Sequence, residues 1–132
     1  MKKTLRPARG LSERTIQNTC LDYLKVDGWY HVSLDPPHMR GLAVHKKGAP
    51  DDLLMRPITE LHLKAAFPGC CCALFIEWKK EGGKAGEHQI ERHRELRALG
   101  FVVLVAGEQF PKSIEGFLNW YRGSGLLRHL RE

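Results

Sequence analysis

Apolar residues recur at helical spacing at Ile16, Cys20 and Leu24, and Leu21 and Tyr23 widen the stripe. Ser12 stands where an N-cap belongs and Gly28 where the pattern stops, which predicts a helix from about Glu13 to Val26. Trp29 to Leu34 reads as a strand broken by Asp35-Pro36-Pro37, because proline cannot donate to a ladder. Gly41 to Lys46 reads as a second strand or a hairpin arm. Gly48 and Pro50 mark a turn, and Asp51 to Met55 a short strand that Arg56-Pro57 stops. Pro57 to Gly69 keeps neither period and reads as a loop or short helix inserted between core strands.

Cys70 to Lys80 gives the strongest strand signal, and the glycines of Glu81 to Gly86 predict a mobile loop after it. Their spacing matches neither a Walker loop nor a dinucleotide fingerprint. A helix is expected from Glu87 to Leu99, closed by Gly100, with Gln89, His93, Leu96 and Leu99 along one side. Phe101 to Ala106 is a continuous run rich in β-branched residues, as in buried strands, and the helix before it favours parallel pairing with the preceding strand. Pro111 is suited to open a final helix whose Ile114, Phe117, Leu118 and Tyr121 dock on the sheet, and Gly123-Ser124-Gly125 ends it. The result is an α/β arrangement with a mixed sheet flanked by helices. Residues 1–10 read as a flexible basic arm, 11–125 as a single domain, and 126–132 as a tail suited to a partner contact.

One strand breaks the pattern. Side chains alternate faces along a strand, so Glu77 and Lys79 share a face inside an otherwise apolar run. Burying two charges there is costly unless they pair with each other, as a structural pair, or hold an ion. Asp51, at the mouth of another strand, supplies a second carboxylate. Two converging carboxylates are hard-oxygen ligands of the kind Mg²⁺ takes, and a lysine beside them can hold a phosphate or a water. Glu13, in the first turn of its helix, also complements the helix dipole.

The order Pro50-Asp51, then Glu77-Trp78-Lys79 on an apolar strand, then Gln89 on the next helix resembles the PD-(D/E)xK nucleases. With Gly48-Ala49 ahead of Pro50 it looks most like their virus-type replication-repair nuclease (VRR-NUC) branch, over about Glu13 to Ala106. The resemblance implies a restriction-endonuclease-like αβββαβ core. It implies that Asp51 and Glu77 bind Mg²⁺ or Mn²⁺, with the Trp78 backbone carbonyl as a further ligand and Glu13 completing a second position. Lys79 would activate water and Gln89 would position Lys79 or that water. Asp52 departs from the family, where an apolar residue follows the aspartate, and leaves open which aspartate faces the site; Asp51 is preferred because it directly follows Pro50. The resemblance also implies a cytoplasmic, bacterial or phage-encoded enzyme of repair, recombination or phage replication that cuts branched DNA such as four-way junctions, as a homodimer. The alternatives are a non-catalytic nucleic-acid binder on the same fold, or a nuclease for linear DNA or RNA.

Charge agrees with such a partner. The 132 residues carry 21 Lys and Arg against 15 Asp and Glu, a formal charge of +6, which favours a polyanion. Lys47, Lys80, Lys84 and Arg92 are candidates for backbone contacts, although each also suits a solvated surface. His88 and His93 are candidate bases, but helix-borne histidines are more often packed or solvated. The residues before Gly10 lack the apolar run of a signal peptide, and no stretch approaches the roughly 20 apolar residues of a membrane span. The consecutive Cys70, Cys71 and Cys72 are poorly spaced for one zinc and read as small apolar fillers in the thiol form.

Overall fold

The computed structural model describes residues 10–34, 48–57 and 71–128. The elements run α1 (Glu13–Val26), β1 (Tyr30–Ser33), β2 (Asp52–Pro57), β3 (Cys71–Glu77), α2 (Glu87–Ala98), β4 (Val102–Val105) and α3 (Ile114–Gly123). Helix α1 has the bounds its apolar stripe predicts, with the Ser12 hydroxyl accepting from Thr15 N at 3.1 Å. The sheet order is β1-β2-β3-β4, antiparallel across the first two pairs and parallel between β3 and β4. This is the expected mixed α/β architecture. The expected strand or hairpin arm at 41–46, most of the Pro57–Gly69 segment, the arm before Gly10 and the end of the tail lie outside the described residues.

Burial alternates along β2: Asp52, Leu54 and Arg56 are buried while Leu53 and Met55 are half-buried. Register carries the buried face across to Cys72, Leu74 and Ile76 of β3. Helices α1 and α3 cover that face through Ile16, Cys20, Leu24, Phe117 and Tyr121, and Trp78 and Phe110 complete the core. The Trp78 ring meets Phe110 at 5.8 Å and Phe117 at 5.2 Å between centroids. Helix α2 packs against β4, at the other end of the sheet from β1.

A buried polar knot ties the far end of α1 to α3. Tyr121 donates to Asp27 and accepts from Trp29 Nε1 at 2.9 Å. Asp27 Oδ1 also accepts from the Arg128 backbone at 3.0 Å, while the Arg56 guanidinium lies 3.6 Å from Asp27 and 4.2 Å over the Trp29 ring.

Three expectations need correction. Helix α3 starts at Ile114 rather than at Pro111, because Ser113 has the oxygen that Pro111 lacks and caps Gly116 N at 3.0 Å. Leu99 does not continue the packed side of α2; it is the C-cap residue, past the last helical residue Ala98, and is exposed. Cys71 is exposed rather than a core filler, since it starts β3 away from the covered centre of the sheet, and Cys72 is half-buried.

Candidate active site

Burial deepens along β3, so its most enclosed positions are the last ones, Ile76 and Glu77, followed by Trp78 and Lys79. Trp78 points into the core, and strand alternation sends Glu77 and Lys79 to the face that α2 borders. Glu77 is fully buried and neither of its oxygens has a hydrogen-bond partner. His93, on α2 and also buried, brings an unpartnered Nε2 to 3.5 Å from Glu77 Oε1. Burial and the nearby Arg97 hold the His93 pKa below its usual value, favouring the neutral imidazole.

Asp51 sits at the entrance to β2, where its Oδ2 accepts from the Trp78 backbone N–H at 2.8 Å. Glu13 reaches the same place from the first turn of α1: ligand oxygens of Glu13, Asp51 and Glu77 all lie within 4.8 Å of one another. Three carboxylates so close repel. Burial first, then the adjoining Glu77 carboxylate, beside which a second negative charge is disfavoured, pushes Asp51 up to about 9, against the lowering influence of the Trp78 amide. Glu77 is raised mainly by burial, with Asp51 and Lys79 opposing. Glu13 is raised by burial and Asp51, with Lys79 and Lys80 opposing. The group is an acidic cluster able to bind a metal ion, made of hard oxygens, with neither cysteine nor histidine in it.

The cation in this corner is Lys79, 8% exposed. Its Nζ donates to Gln89 Oε1 at 2.9 Å, and the same oxygen accepts from the Gly86 backbone at 2.9 Å. The turn before Asp51 docks on the same helix. Gly48 has φ +86°, and a Cβ there would fall 2.4 Å from the His88 backbone. Asp51, Glu77, Lys79, Gln89 and Glu13 thus all gather around one end of the sheet.

A solved structure described as a "VRR_NUC domain protein" matches with a TM-score of 0.58 and 23% identity, over 86% of this chain and 88% of that one. The fold matches that of this VRR_NUC domain protein. The sequence matches no protein-family model and no curated protein sequence, so the likeness is carried by architecture.

Within this fold the two aspartates divide. Asp51 faces the acidic cluster, whereas Asp52 lies on the core face, fully buried among Gln17, His31 and Trp78. Gln17 and His31 carry no motif, and only the strand register reveals why an aspartate occupies an apolar position. Lys80 and Lys84 are exposed at the loop after β3. Arg92 is half-buried and bound to Glu95 at 2.5 Å, and His88 is exposed. Lys47 lies outside the described residues. Among the described residues no helix is long and apolar enough to cross a membrane.

Proposed function

We propose that this chain is a divalent-metal-dependent, structure-selective DNA endonuclease that hydrolyses phosphodiester bonds in branched DNA such as four-way junctions. It would act as a homodimer in the cytoplasm, in repair, recombination or phage replication. The observation that carries this reading is the meeting of Glu13, Asp51 and Glu77, with ligand oxygens within 4.8 Å, beside a lysine fixed by Gln89.

A purely structural ion pair would satisfy its buried carboxylate. Glu77 instead has two buried oxygens without hydrogen bonds, and such a group is costly unless something else fills the need. Mg²⁺ or Mn²⁺ suits this all-oxygen donor set. Asp51 and Glu77 would hold the ion, with the Trp78 backbone carbonyl and Glu13 as further ligands. Such an ion would supply neutralisation of charge on the scissile phosphate and a source of hydroxide near neutral pH. Lys79 orients the attacking water and stabilises the negative charge that grows on the phosphoryl oxygens. Gln89 keeps the Lys79 amine in place. Lys47, Lys80, Lys84 and Arg92 steer the phosphate backbone toward the site, in keeping with the formal charge of +6.

The test is cleavage of linear, flapped and four-way DNA and of RNA in Mg²⁺ or Mn²⁺, by the natural chain and by Lys79→Ala. Cutting of branched DNA by the natural chain alone is the expected result. Binding without cutting in either metal would make the protein a nucleic-acid binder, equal cutting by Lys79→Ala would remove the mechanism, and preferred cutting of linear DNA or RNA would change the substrate.

A further inference from the structure

Asp52 occupies a core-facing position of β2, in line with Leu54 and Arg56, and is fully buried. Three donors from three elements meet its carboxylate. Gln17 Nε2 of α1 and Trp78 Nε1 both lie 2.8 Å from Oδ2, and His31 Nε2 of β1 lies 2.5 Å from Oδ1. An apolar residue would fill this place at lower desolvation cost.

The destination of each donor explains the arrangement. Trp78 has two N–H groups, and consecutive aspartates take them: Asp51 the backbone N–H and Asp52 the indole N–H, each at 2.8 Å. The antiparallel ladder of β2 and β3 ends at the pair Asp52–Ile76. Beyond it, Asp51 and Glu77 have no ladder bond between the two strands to fix their spacing, and the two bonds to Trp78 take over that task. Gln17 lies one helical turn after Glu13, so its bond to Asp52 also anchors the turn of α1 that carries the third carboxylate.

We propose that Asp52 is a positioning residue for the cation cluster: by holding the Trp78 indole and Gln17 from the core side, it sets the relative places of Asp51, Glu77 and Glu13 on the other side. This rests on the reading of that cluster as a cation site. Asp52 touches neither substrate nor ion. It acts through Trp78, whose amide fixes Asp51, and through α1.

The test compares Asp52→Leu, Asp52→Asn and Trp78→Phe with the natural chain, by Mn²⁺ titration under electron paramagnetic resonance, by the Trp78 amide resonance in a ¹⁵N–¹H spectrum and by thermal unfolding. Asp52→Leu and Trp78→Phe should each weaken Mn²⁺ binding roughly tenfold or more, as loss of a ligand-orienting partner does, and Asp52→Leu should also move the Trp78 amide resonance. Asp52→Asn keeps an acceptor for Trp78 and Gln17 and should restore affinity to within about threefold, the loss of one charge accounting for the remainder. Folded Asp52→Leu and Trp78→Phe proteins with unchanged Mn²⁺ affinity, and an unmoved Trp78 amide in Asp52→Leu, would overturn the inference and leave Asp52 a fold-stabilising residue. If the natural chain binds no Mn²⁺, the cation reading fails separately, and the amide resonance alone decides whether Asp52 positions Asp51. Should Asp52→Leu not fold, Trp78→Phe, which removes one donor and keeps an aromatic ring, carries the comparison.

Discussion

Gln89 Oε1 lies 2.9 Å from Lys79 Nζ and 2.9 Å from the Gly86 backbone nitrogen, so one amide oxygen both closes the start of α2 and anchors the buried ammonium. Gln89→Ala frees the lysine while costing the helix about one capping interaction. Cleavage should fall about a hundredfold, the scale of a misplaced catalytic group, and stability by about 1 kcal/mol. Single-turnover rates and urea denaturation separate the two effects. A rate within threefold of the natural chain would show that Lys79 needs no such anchor.

Gly48 is required twice, for φ +86° and because a Cβ would fall 2.4 Å from the His88 backbone. A helix backbone cannot step aside as a side-chain tip can. Gly48→Ala should therefore destabilise by roughly 1–3 kcal/mol and lower metal affinity as well, because the shift propagates to Asp51 three residues on. Denaturation and Mn²⁺ titration of the same variant check both effects.

The acidic cluster makes the metal-free protein sensitive to alkali. Asp51 titrates near 9 when folded against an ordinary 3.8, so from about pH 4 to about pH 9 the folded state binds the extra proton and stability falls as pH rises. Glu77, also raised, acts in the same direction. His93 is lowered, so its contribution is lost as pH falls through the ordinary 6.5, outside the range from pH 7 to 9. In EDTA, Tm should fall between pH 7 and 9. With Mg²⁺, which binds the deprotonated carboxylates, the stabilisation should grow over the same interval. A Tm independent of pH in EDTA would contradict the strained cluster.

Tyr121→Phe offers a remote control. The hydroxyl accepts from Trp29 and donates to Asp27, near the opposite end of α1 from Glu13, about 20 Å away at 1.5 Å per residue. Its loss strands a buried indole N–H and should cost roughly 1–3 kcal/mol, with cleavage per folded molecule unchanged. A matching fall in activity would mean that the far knot also sets the site.

Much of this layout was legible in the chain because local signals agree. Ser12 and the Ile16–Cys20–Leu24 stripe define α1 on their own, and strand alternation alone places Glu77 and Lys79 together with Trp78 opposite. Glu13 was reachable only by resemblance, since nothing in α1's own spacing shows that its first turn overhangs the sheet. The choice between Asp51 and Asp52 needed the register of β2 on β3, a non-local fact. The partnership of Asp52 with Gln17 and His31 joins positions 35 and 21 residues away, and no periodicity encodes it. His93 shares a helix side with Gln89, yet its approach to Glu77 depends on how α2 packs against β4.

In the proposed function, Glu13, Asp51 and Glu77 share one divalent ion. Its most direct measurement is a crystal structure of the Mn²⁺-soaked protein phased to locate the metal by anomalous scattering, with Glu77→Gln treated identically. An anomalous peak is expected at roughly 2.1 Å from Asp51 and Glu77 oxygens, lost or greatly weakened in Glu77→Gln. No peak in the natural chain at saturating Mn²⁺, or a peak coordinated elsewhere and indifferent to Glu77→Gln, would contradict it.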